Sequence, residues 1–321
     1  MKIAIIGAGI AGLSAATLLK SHHQVSLFDK GRSVGGRLSH RRRGNFDFDH
    51  GAQYLTVRDV RFAEFLKNHC QAQTFSPWHA DFVSIKQGKI CSRRRWHDDH
   101  LVGKPSMNGI AKSLARNLDV STSTTVTAIN AIGGMWQLVD DKNQQLGLFD
   151  WVVCSAPVAQ TKALLPQECS FLSQIESIQM KPCYTLMLGF DESPISEFDA
   201  AHVSDTVLSW IACNHSKPGR DTKPSLVINS TNTWADQHFA LETGEVTSKL
   251  IAATEHILAM KLTPTHIDVQ RWRYANISKQ TGPQAFIDDD AKLAAIGDWC
   301  IKGRVESAFL SALRFTESFT R

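Results

Sequence analysis

The N-terminal segment "MKIAIIGAGIAGLSAATLLK" limits the possible folds more than any other stretch of the chain. The apolar run "IAII" predicts a short strand, and residues 10–20 follow with apolar side chains at helical spacing. Between them lies a Gly-x-Gly-x-x-Gly motif, formed by Gly7, Gly9 and Gly12. Residues 24–30, "QVSLFDK", predict a second strand, so the chain opens with a β-α-β unit.

Each glycine of this motif has a physical task in a dinucleotide-binding site. Gly7 permits the tight turn, Gly9 lets a pyrophosphate approach the backbone, and Gly12 lets the helix pack closely on the strand. The helix presents the unpaired N–H groups of its first residues, Ile10 and Ala11 among them, and its positive dipole end to phosphates. A glycine-rich turn without a ligand is the alternative interpretation.

An acidic residue supports the dinucleotide interpretation. Asp29, followed by Lys30, ends the second predicted strand, where a carboxylate can accept hydrogen bonds from ribose hydroxyls. A strand before the glycines, a helix after them and this carboxylate together favour a bound dinucleotide. The specific glycine spacing also argues against a signal peptide at the apolar N-terminus.

Composition excludes several other classes of protein. The chain has 321 residues, a length at which one core usually divides, so we expect two domains. Its net charge of +4 favours neither nucleic acid nor a membrane surface as a partner, and no membrane span is expected. Seven dispersed cysteines without a C-x-x-C pair favour a reduced cytoplasmic protein over a disulfide framework or a zinc site.

The middle of the chain predicts a second sheet. The segments "PCYTLMLGF", "TVLSWIAC", "SLVINST" and "HIDVQRWRYA" are strand candidates, and residues 245–259 predict a helix between the last two. A loop that reads as polar, "NHSKPGRDTKP", interrupts them. This succession indicates a mixed-sheet domain. The tail returns to a strand in "LAAIGDWC" and a helix over about residues 305–318.

A second glycine signature follows the β-α-β unit. Gly35, Gly36 and Arg37 in "GRSVGGRLSHRRRG" offer another close backbone approach and a fixed cation for a pyrophosphate. Together with "WVVCSAP", "AAIGDW" and "GRVESAFLSALR", this signature resembles the flavin-dependent amine oxidase superfamily. The resemblance implies FAD as the cofactor. It assigns these further residues to the FAD site: Gly51, Ala52, Gln53, Val126, Ser155, Ala156, Pro157, Gly297, Asp298, Val305, Glu306 and Ala308.

Three blocks narrow the resemblance. "GAQYLTVRD", "QRWRYA" and "GRVESAFLSA" are similar to the renalase branch and its bacterial relatives. That branch implies non-covalent FAD and oxidation of misreduced 2- or 6-dihydro isomers of NAD(P)H. Hydride passes to flavin N5 and dioxygen accepts the electrons, giving NAD(P)+ and hydrogen peroxide. Ser307 and Ala312 depart from the pattern, which often has glycine there, and the position of Cys300 disfavours covalent attachment.

The stretch "NFDFDHGAQYLTVRD" carries a possible metal-binding pattern, Asp47, Asp49 and His50. Adjacent residues of a strand point to opposite faces, so only Asp47 and Asp49 could share a site, and we expect no metal. We expect both carboxylates to face solvent or to pair with Arg41–Arg43. The strand would then deliver residues 51–54 to the isoalloxazine ring.

Aromatic residues predict the substrate pocket. In "QRWRYA", Trp272 and Tyr274 share one strand face and Arg273 lies on the other. Either the aromatic residues are core and the arginines are solvated, or one face lines the pocket over the flavin. Trp234 is a candidate for a second wall. The residues assigned pocket or orientation roles are Gln53, Tyr54, Trp234, Trp272, Arg273 and Tyr274.

The remaining motifs limit the chemistry. The arginine triplets at residues 41–43 and 93–95 are either solvated faces or contacts to the pyrophosphate of a dinucleotide substrate. None of the thirteen histidines stands in a Ser-His-Asp or H-E-x-x-H arrangement, so hydrolysis has no support. Hydride transfer from a dihydropyridine needs no strong base, and the expected task of the protein is orientation.

These observations predict an α/β fold with a Rossmann-like FAD-binding domain and a mixed-sheet α+β substrate domain. The predicted FAD-binding domain comprises residues 1–73, 98–162 and 278–321, and the predicted substrate domain comprises residues 74–97 and 163–277. The expected partners are a dinucleotide substrate and dioxygen. One alternative is a flavin amine oxidase or desaturase, with Lys279 as a loosely placed lysine near flavin N5. The other is a non-enzymatic, escort-type binding protein of the same fold.

Overall fold

The computed structural model describes residues 1–94, 100–195 and 197–320. The helices are α1 (Ile10–Leu19), α2 (Val60–His69), α3 (Asn108–Ala115), α4 (Val158–Leu164), α5 (Leu172–Ile175), α6 (Asn232–Gln237), α7 (Thr243–Leu258) and α8 (Val305–Thr316). In the part of the chain that the structure describes, none of them has the length and apolar character needed to cross a membrane.

Twenty-one short strands form five sheets within the same residues. In chain order the strands are β1 (Lys2–Ile6), β2 (Gln24–Phe28), β3 (Arg41–Arg43), β4 (Phe46–Phe48), β5 (Leu55–Thr56), β6 (Phe75–Pro77), β7 (Phe82–Lys86), β8 (Lys89–Arg94), β9 (His100–Gly103), β10 (Asp119–Ser121), β11 (Val126–Ile132), β12 (Met135–Asp140), β13 (Gln145–Phe149), β14 (Trp151–Cys154), β15 (Lys181–Gly189), β16 (Ala200–Ser204), β17 (Leu208–Cys213), β18 (Ser225–Ser230), β19 (His266–Asn276), β20 (Phe286–Asp288) and β21 (Leu293–Ala295).

The N-terminal β-α-β unit lies at the centre of a six-stranded sheet. The strand order is β10-β2-β1-β14-β21-β20, and every pair is parallel except β21 with β20. Ile3 of β1 pairs with Val25 on one side and Trp151 on the other. The central strands are almost entirely apolar because both faces of the sheet are covered. This arrangement confirms the predicted Rossmann-like fold.

Two different layers cover this sheet. On one face, Ile3 and Ile5 pack in a core with Leu13 of α1 and Phe309 of α8. On the other face, the core that contains Ala4 also contains side chains of the antiparallel sheet β11-β12-β13. α1 is buried along nearly its whole length. The turn before α1 is therefore held rigidly between strand and helix.

The second sheet is mixed, as predicted. Its seven strands run in the order β19-β15-β18-β17-β16-β7-β8, and only β16 and β7 pair in parallel. Leu186 of β15 and Ile228 of β18 pack with Leu250 of α7 in its core. β15 and β19, the strands at one edge, approach the N-terminal part of the chain.

A hairpin of β3 and β4 connects the two sheets. Phe46 and Phe48 pack against Met187 and Val227 on the seven-stranded sheet. A Cβ at Gly189 would lie 2.7 Å from the Phe46 ring, so this close contact requires glycine. The sequence predicted a single strand with alternation through residue 50, but β4 ends at Phe48. The residues that follow therefore do not obey the period of two.

Candidate flavin site

The first part of the site is the turn between β1 and α1. Gly7 has a φ of +110°, which L side chains rarely adopt, and a Cβ at Gly12 would collide with the Gly7 carbonyl oxygen. α1 follows Gly9 without a side-chain cap and without an acidic residue in its first turn. The first N–H groups of this helix, which include those of Ile10 and Ala11, thus remain available to an anion.

Open space lies beside Gly9. A Cβ on Gly9 would meet nothing within 4 Å, and one on Gly36 would meet only the Gly9 Cα at 3.5 Å. Packing of the protein on itself therefore explains Gly12 but not Gly9. A group that approaches the backbone from outside explains it, and the uncapped end of α1 suits the negative charge of a pyrophosphate.

Asp29 stands at the end of β2, next to this space. Its Oδ2 accepts a hydrogen bond from the Ala8 amide and its Oδ1 one from the Gly31 amide, both at 2.6 Å. These two bonds hold the half-buried carboxylate beside the glycine turn. Lys30 is exposed. The position of Asp29 agrees with the predicted contact to ribose hydroxyls.

Arg37 and Asp298 meet although 261 positions separate them. Arg37 Nη1 lies 2.8 Å from Asp298 Oδ2, and Nη2 lies 2.5 Å from Oδ1, so the ion pair is bidentate. Nη1 also donates to the Ala275 carbonyl of β19 at 3.2 Å. The Gly297 amide donates to Ser311 Oγ of α8 at 2.9 Å. Two predicted FAD-binding segments from opposite ends of the chain thus form one surface.

Residues 155–157 close the turn from the other side. Ser155 Oγ donates to the Ile6 and Gly7 carbonyls at 3.1 and 2.8 Å. The Ala156 carbonyl accepts a hydrogen bond from Trp299 Nε1 at 3.0 Å, and Pro157 precedes α4. The Ser155 side chain lies close enough to Gly7 to exclude a Cβ there. This segment therefore adjoins the glycine turn, and its predicted approach to the cofactor stays a prediction.

The other predicted FAD-binding residues lie on neighbouring elements. Val126 is buried at the start of β11, and Val305 and Ala308 lie in the first turn of α8. Glu306 Oε1 accepts hydrogen bonds from the Arg58 and Asp59 amides at 2.7 and 2.8 Å. Glu306 therefore fixes the chain that follows β5 to the start of α8. Contacts of these residues with FAD stay predictions.

Residues 49–54, here called the strap, cross Arg37 directly. The Ala52 amide donates to the Arg37 carbonyl at 2.8 Å, and a Cβ at Gly51 would collide with the same oxygen. Glycine at residue 51 thus allows two backbone segments to touch. The conformation of the strap decides how the chain borders the proposed cofactor.

The Gln53 side chain has all four of its hydrogen bonds within the protein. Nε2 donates to the carbonyls of Asp49 at 2.6 Å and Gly51 at 3.0 Å. Oε1 accepts from Trp210 Nε1 at 3.3 Å and from Lys217 Nζ at 3.2 Å. An amide can make no more than these bonds. The predicted pocket role of the Gln53 side chain therefore needs correction, because the structure uses it to shape the strap.

Asp49 is buried in an ion cluster with Lys217 and Arg220, and the three side chains have no exposed surface. Its Oδ2 lies 2.6 Å from Arg220 Nη2 and 3.3 Å from Lys217 Nζ, while Oδ1 accepts from the Met107 amide at 2.9 Å. Burial alone would raise the pKa of Asp49, but the two cations and the amide outweigh it and lower the pKa. The expectation that Asp49 faces solvent or pairs with Arg41–Arg43 is wrong.

The cations come from the loop that the sequence presented as polar. Lys217 and Arg220 are 1% and 4% exposed, so this loop is buried at its centre. Burial lowers the pKa of Lys217 to about 8, while the charge of Asp49 opposes that shift. Nothing in the local pattern of the loop pairs it with a residue 168 positions earlier. Sequence reasoning therefore missed the cluster.

The rings of Trp272 and of the strap residue His50 stack on each other, and this stacked pair is here called the aromatic wall. Their rings stack with centroids 5.4 Å apart and planes 20° apart, and Trp272 Nε1 donates to the His50 carbonyl at 2.8 Å. Burial, followed by the nearby charge of Arg41, lowers the pKa of His50 to about 4, so its imidazole is neutral at pH 7. Among the described residues, nothing hydrogen-bonds to the buried His50 Nδ1.

Tyr54 lies in an aromatic cluster at the other end of the strap. Its ring centroid is 4.3 Å from that of His100, 5.8 Å from that of Trp210 and 6.0 Å from that of Phe82. Trp210 also holds the Gln53 amide, so the cluster and the strap form one packed unit. Contact between Tyr54 and the flavin stays a prediction.

β19 has the predicted alternation, and this separates the pocket candidates. Trp272 and Tyr274 are half-buried, whereas Arg271 and Arg273 are exposed. Arg271 lies over the Tyr184 ring, which packs edge-on against Trp234.

The guanidinium of Arg273 is 4.6 Å from the Phe239 ring centroid, on the same face as Arg271. Trp234 and Arg273 therefore lie on the face opposite Trp272. A single pocket lined by all three residues, as predicted, therefore needs correction, and the pocket role of Trp272 stays a prediction.

The first arginine triplet is engaged in ion pairs. Arg41 and Arg43 pair with Asp268 at 2.9 and 3.3 Å, and Arg42 pairs with Asp47 at 3.1 Å. Asp47 is buried and does not face solvent, but its pair with Arg42 confirms the other expected outcome, pairing with Arg41–Arg43.

In the second triplet, Arg93 pairs with Asp81, and Arg95 lies outside the described residues. Across residues 1–94, 100–195 and 197–320, no group of His, Cys, Asp and Glu could hold a metal ion.

Comparison with known families gives two matches, which together cover most of the chain. Residues 84–317 match the family described as flavin containing amine oxidoreductase. The chain belongs to this family. Residues 5–68 match a family described as an NAD(P)-binding Rossmann-like domain. Membership of this family favours an FAD-dependent oxidoreductase over the escort-type alternative.

Individual relatives add the following similarities. A 4,4'-diapophytoene desaturase (4,4'-diaponeurosporene-forming) of Staphylococcus haemolyticus is 46% identical over 66 residues, which cover 20% of this chain and 13% of the desaturase. The enzyme of Staphylococcus aureus strain Newman is 44% identical over 61 residues, 19% of this chain and 12% of the relative. These matches thus span only about an eighth of the relatives.

Solved structures share the fold over nearly the whole chain. An oxidoreductase from Methanosarcina mazei has a TM-score of 0.75 and 15% identity, with 99% of this chain and 100% of that chain covered. Wild-type putrescine oxidase bound to putrescine gives 0.74 and 11%, with 100% of both chains covered. Reduced UDP-galactopyranose mutase gives 0.78 and 10%, with 99% and 95% covered. At such identities the likeness shows the fold alone.

The two glycines of the motif should respond differently to an added methyl group. We expect Gly9→Ala to leave the melting temperature of the apoprotein unchanged, because the space is open, and to weaken FAD binding at least tenfold. Gly12→Ala should instead lower the stability of the apoprotein, because its Cβ meets the Gly7 carbonyl. Thermal unfolding and FAD titration measure both effects. Equal FAD affinity in Gly9→Ala and wild type would contradict the assigned pyrophosphate position.

The two aspartates of "DFD" provide a matched pair for the ion cluster. Asp49→Asn leaves two buried cations without a carboxylate and should lower the free energy of unfolding by about 3–5 kcal/mol. Asp47→Asn loses a pair with the mostly exposed Arg42 and should cost less than about 1 kcal/mol. Urea unfolding of both variants tests the difference, and equal losses would contradict the account.

The same cluster predicts a dependence of stability on pH. The folded-state pKa of Asp49 lies below the ordinary value of 3.8, so its ionised form stabilises the native protein above that pH. This stabilisation should be lost as the pH falls from 3.8 towards the lowered pKa, and the Asn variant should lack that step. Urea unfolding between about pH 5 and pH 2 measures it. A parallel pH profile in both proteins would contradict the assignment.

Proposed function

We propose that this oxidoreductase acts on misreduced dihydronicotinamide dinucleotides, the 2- and 6-dihydro isomers of NAD(P)H, with dioxygen as the final acceptor. The motif blocks "GAQYLTVRD", "QRWRYA" and "GRVESAFLSA" favour this substrate class. The observation that carries the proposal is the neutral aromatic wall, the stacked rings of the strap residue His50 and of Trp272, of which Trp272 is half-buried. A planar dihydropyridine ring can stack on such a surface.

The ionisable groups around this wall support a reaction that needs no base. Asp49 is held as a carboxylate by two cations, and the pKa of His50, about 4, makes its imidazole a weak base. Lys217 donates to three acceptors inside the protein. A dihydropyridine loses hydride with a gain of aromaticity and requires no proton abstraction. For this oxidation the protein mainly has to orient the dihydropyridine ring relative to the flavin.

One set of residues would hold the cofactor, and a different set would hold the substrate. The end of α1, Asp29 and the Arg37–Asp298 pair would hold the pyrophosphate and ribose side of FAD. FAD, when bound, would supply the acceptor for the hydride, and dioxygen would be the final electron acceptor and would become hydrogen peroxide. The wall of His50 and Trp272 would orient the nicotinamide ring and keep water from that face.

The alternatives have weaker support in this chain. The desaturase relatives match only about a fifth of this chain, and the likeness to putrescine oxidase shows the fold alone. The loosely placed Lys279 is exposed in the loop after β19, where Lys302 is a charged neighbour. In the described part of the chain, the hydrogen bonds of the strap go to other residues, and Lys279 is a partner in none of them.

Anaerobic mixing of the holoenzyme with a panel of reductants tests the substrate. We expect the 2- and 6-dihydro isomers to bleach the visible flavin band rapidly, and ordinary 4-dihydro NAD(P)H and primary amines to bleach it far more slowly. Readmission of air should restore the band and release one hydrogen peroxide per flavin. Bleaching by an amine and not by the dihydro isomers would overturn the assignment and favour the amine oxidase alternative.

Two residues of β19 provide a wall variant and a matched control. Trp272→Ala should raise the dissociation constant of the dihydro isomers about two- to tenfold, because a stacked aromatic contact contributes about 0.5–1.5 kcal/mol. Arg273→Ala changes the opposite face of the same strand and should leave that constant unchanged. The substrate dependence of anaerobic flavin reduction gives both values. Weaker binding in the Arg273 variant alone would place the pocket on the other face.

A further inference from the structure

The ammonium of Lys217 has three acceptors and no access to solvent. Nζ lies 3.1 Å from Asn214 Oδ1, 3.2 Å from Gln53 Oε1 and 3.3 Å from Asp49 Oδ2, and it stands 5.3 Å from the centroid of the Trp78 ring. An ammonium has three N–H donors, so each donor has one partner. The lysine is fully engaged, and two of its three partners belong to the strap.

The need to neutralise the charge of Asp49 does not explain why Lys217 is buried here. Arg220 alone balances Asp49, with Nη2 at 2.6 Å from Oδ2, so Lys217 adds a second cation to a buried site. Burial of an extra charge opposes folding. The low pKa of Lys217, about 8 against an ordinary 10.5, reflects that cost. Because the charge of Lys217 lowers stability, we look for a role of this residue other than stabilisation.

The contacts of Gln53 indicate what the charge does. Trp210 Nε1 and Lys217 Nζ both donate to Oε1, and a flipped amide would place its NH2 group against these donors. The indole and the ammonium together therefore select one orientation of the amide, and the ammonium is the charged donor of the two. In that orientation Nε2 is directed at the carbonyls of Asp49 and Gly51 and closes the turn of the strap.

We propose that Lys217 is a positioning residue for the cofactor site: its charge orients the Gln53 amide and so holds Gly51 and Ala52 against Arg37 in one conformation. Loss of the charge removes one of the two donors to Gln53 Oε1, which weakens the preference for one amide orientation and loosens the turn. The strap then no longer holds one fixed conformation at the edge of the flavin site. The proposal requires FAD in this site but is independent of the substrate.

Titration of the apoprotein with FAD tests the proposal by fluorescence quenching. In Lys217→Met, which keeps the neutral Asp49–Arg220 pair, the FAD dissociation constant should rise about tenfold at pH 7. The thermal stability of the apoprotein should stay equal or rise. Lys217 binds its proton less tightly in the folded than in the unfolded chain, so its ionisation opposes folding below pH 8. A purely structural lysine would give the reverse, lower stability with FAD affinity intact.

A double-mutant cycle shows whether Lys217 acts through Gln53. In a Gln53→Met background the amide is absent, so Lys217→Met should have no further effect on FAD affinity. Additive losses in the double variant would overturn the proposal. So would a Lys217→Met protein that binds FAD as tightly as wild type.

The pH profile of FAD binding needs no variant that could misfold. The ionised groups that act on Lys217 are Asp49 and Arg220, and its other neighbours, Gln53, Asn214 and Trp78, are uncharged. Wild-type affinity for FAD should fall as the pH rises through about 8. Lys217→Met should lack that step. A flat wild-type profile between about pH 6.5 and pH 9.5 would overturn the proposal, whatever the substrate proves to be.

Discussion

The buried carboxylate of Asp49 is the interaction on which the rest of the site depends. It joins the end of β4, the start of α3 through the Met107 amide, and the loop of Lys217 and Arg220 that precedes β18. An unpaired charge at this depth would be too costly to retain, so these segments must assemble together. The six-stranded sheet and the seven-stranded sheet therefore meet around one ion cluster.

A series of hydrogen bonds connects this ion cluster to the proposed cofactor site. The Lys217 ammonium donates to the Gln53 side chain of the strap, and the Ala52 amide of the strap donates to the Arg37 carbonyl. Arg37 in turn makes its bidentate pair with Asp298 from the far end of the chain. Stability and binding are thus joined in a single series of contacts. A fixed site of this kind suits chemistry that requires orientation more than acid or base catalysis.

The sequence predicted the parts of the site that depend on local spacing. The glycine motif, Asp29 and the alternation of Trp272 with Arg273 follow from steric and periodic rules, and the structure places them accordingly. Asp49 could not be predicted, because β4 ends at Phe48 and the alternation stops one residue too early. Its partners lie in a loop that reads as polar and solvated. Only the tertiary fold makes that loop an interior element.

The most direct test of this account is amide hydrogen exchange in the apoprotein. If the ion cluster builds the strap before FAD binds, the Ala52 and Met107 amides should exchange only through global unfolding, as slowly as amides of β14. The exposed turn at Gly133 should exchange freely in the same experiment. Free exchange at Ala52 in the apoprotein, with protection only after addition of FAD, would contradict the central claim. The strap would then be shaped by the cofactor and not by Asp49.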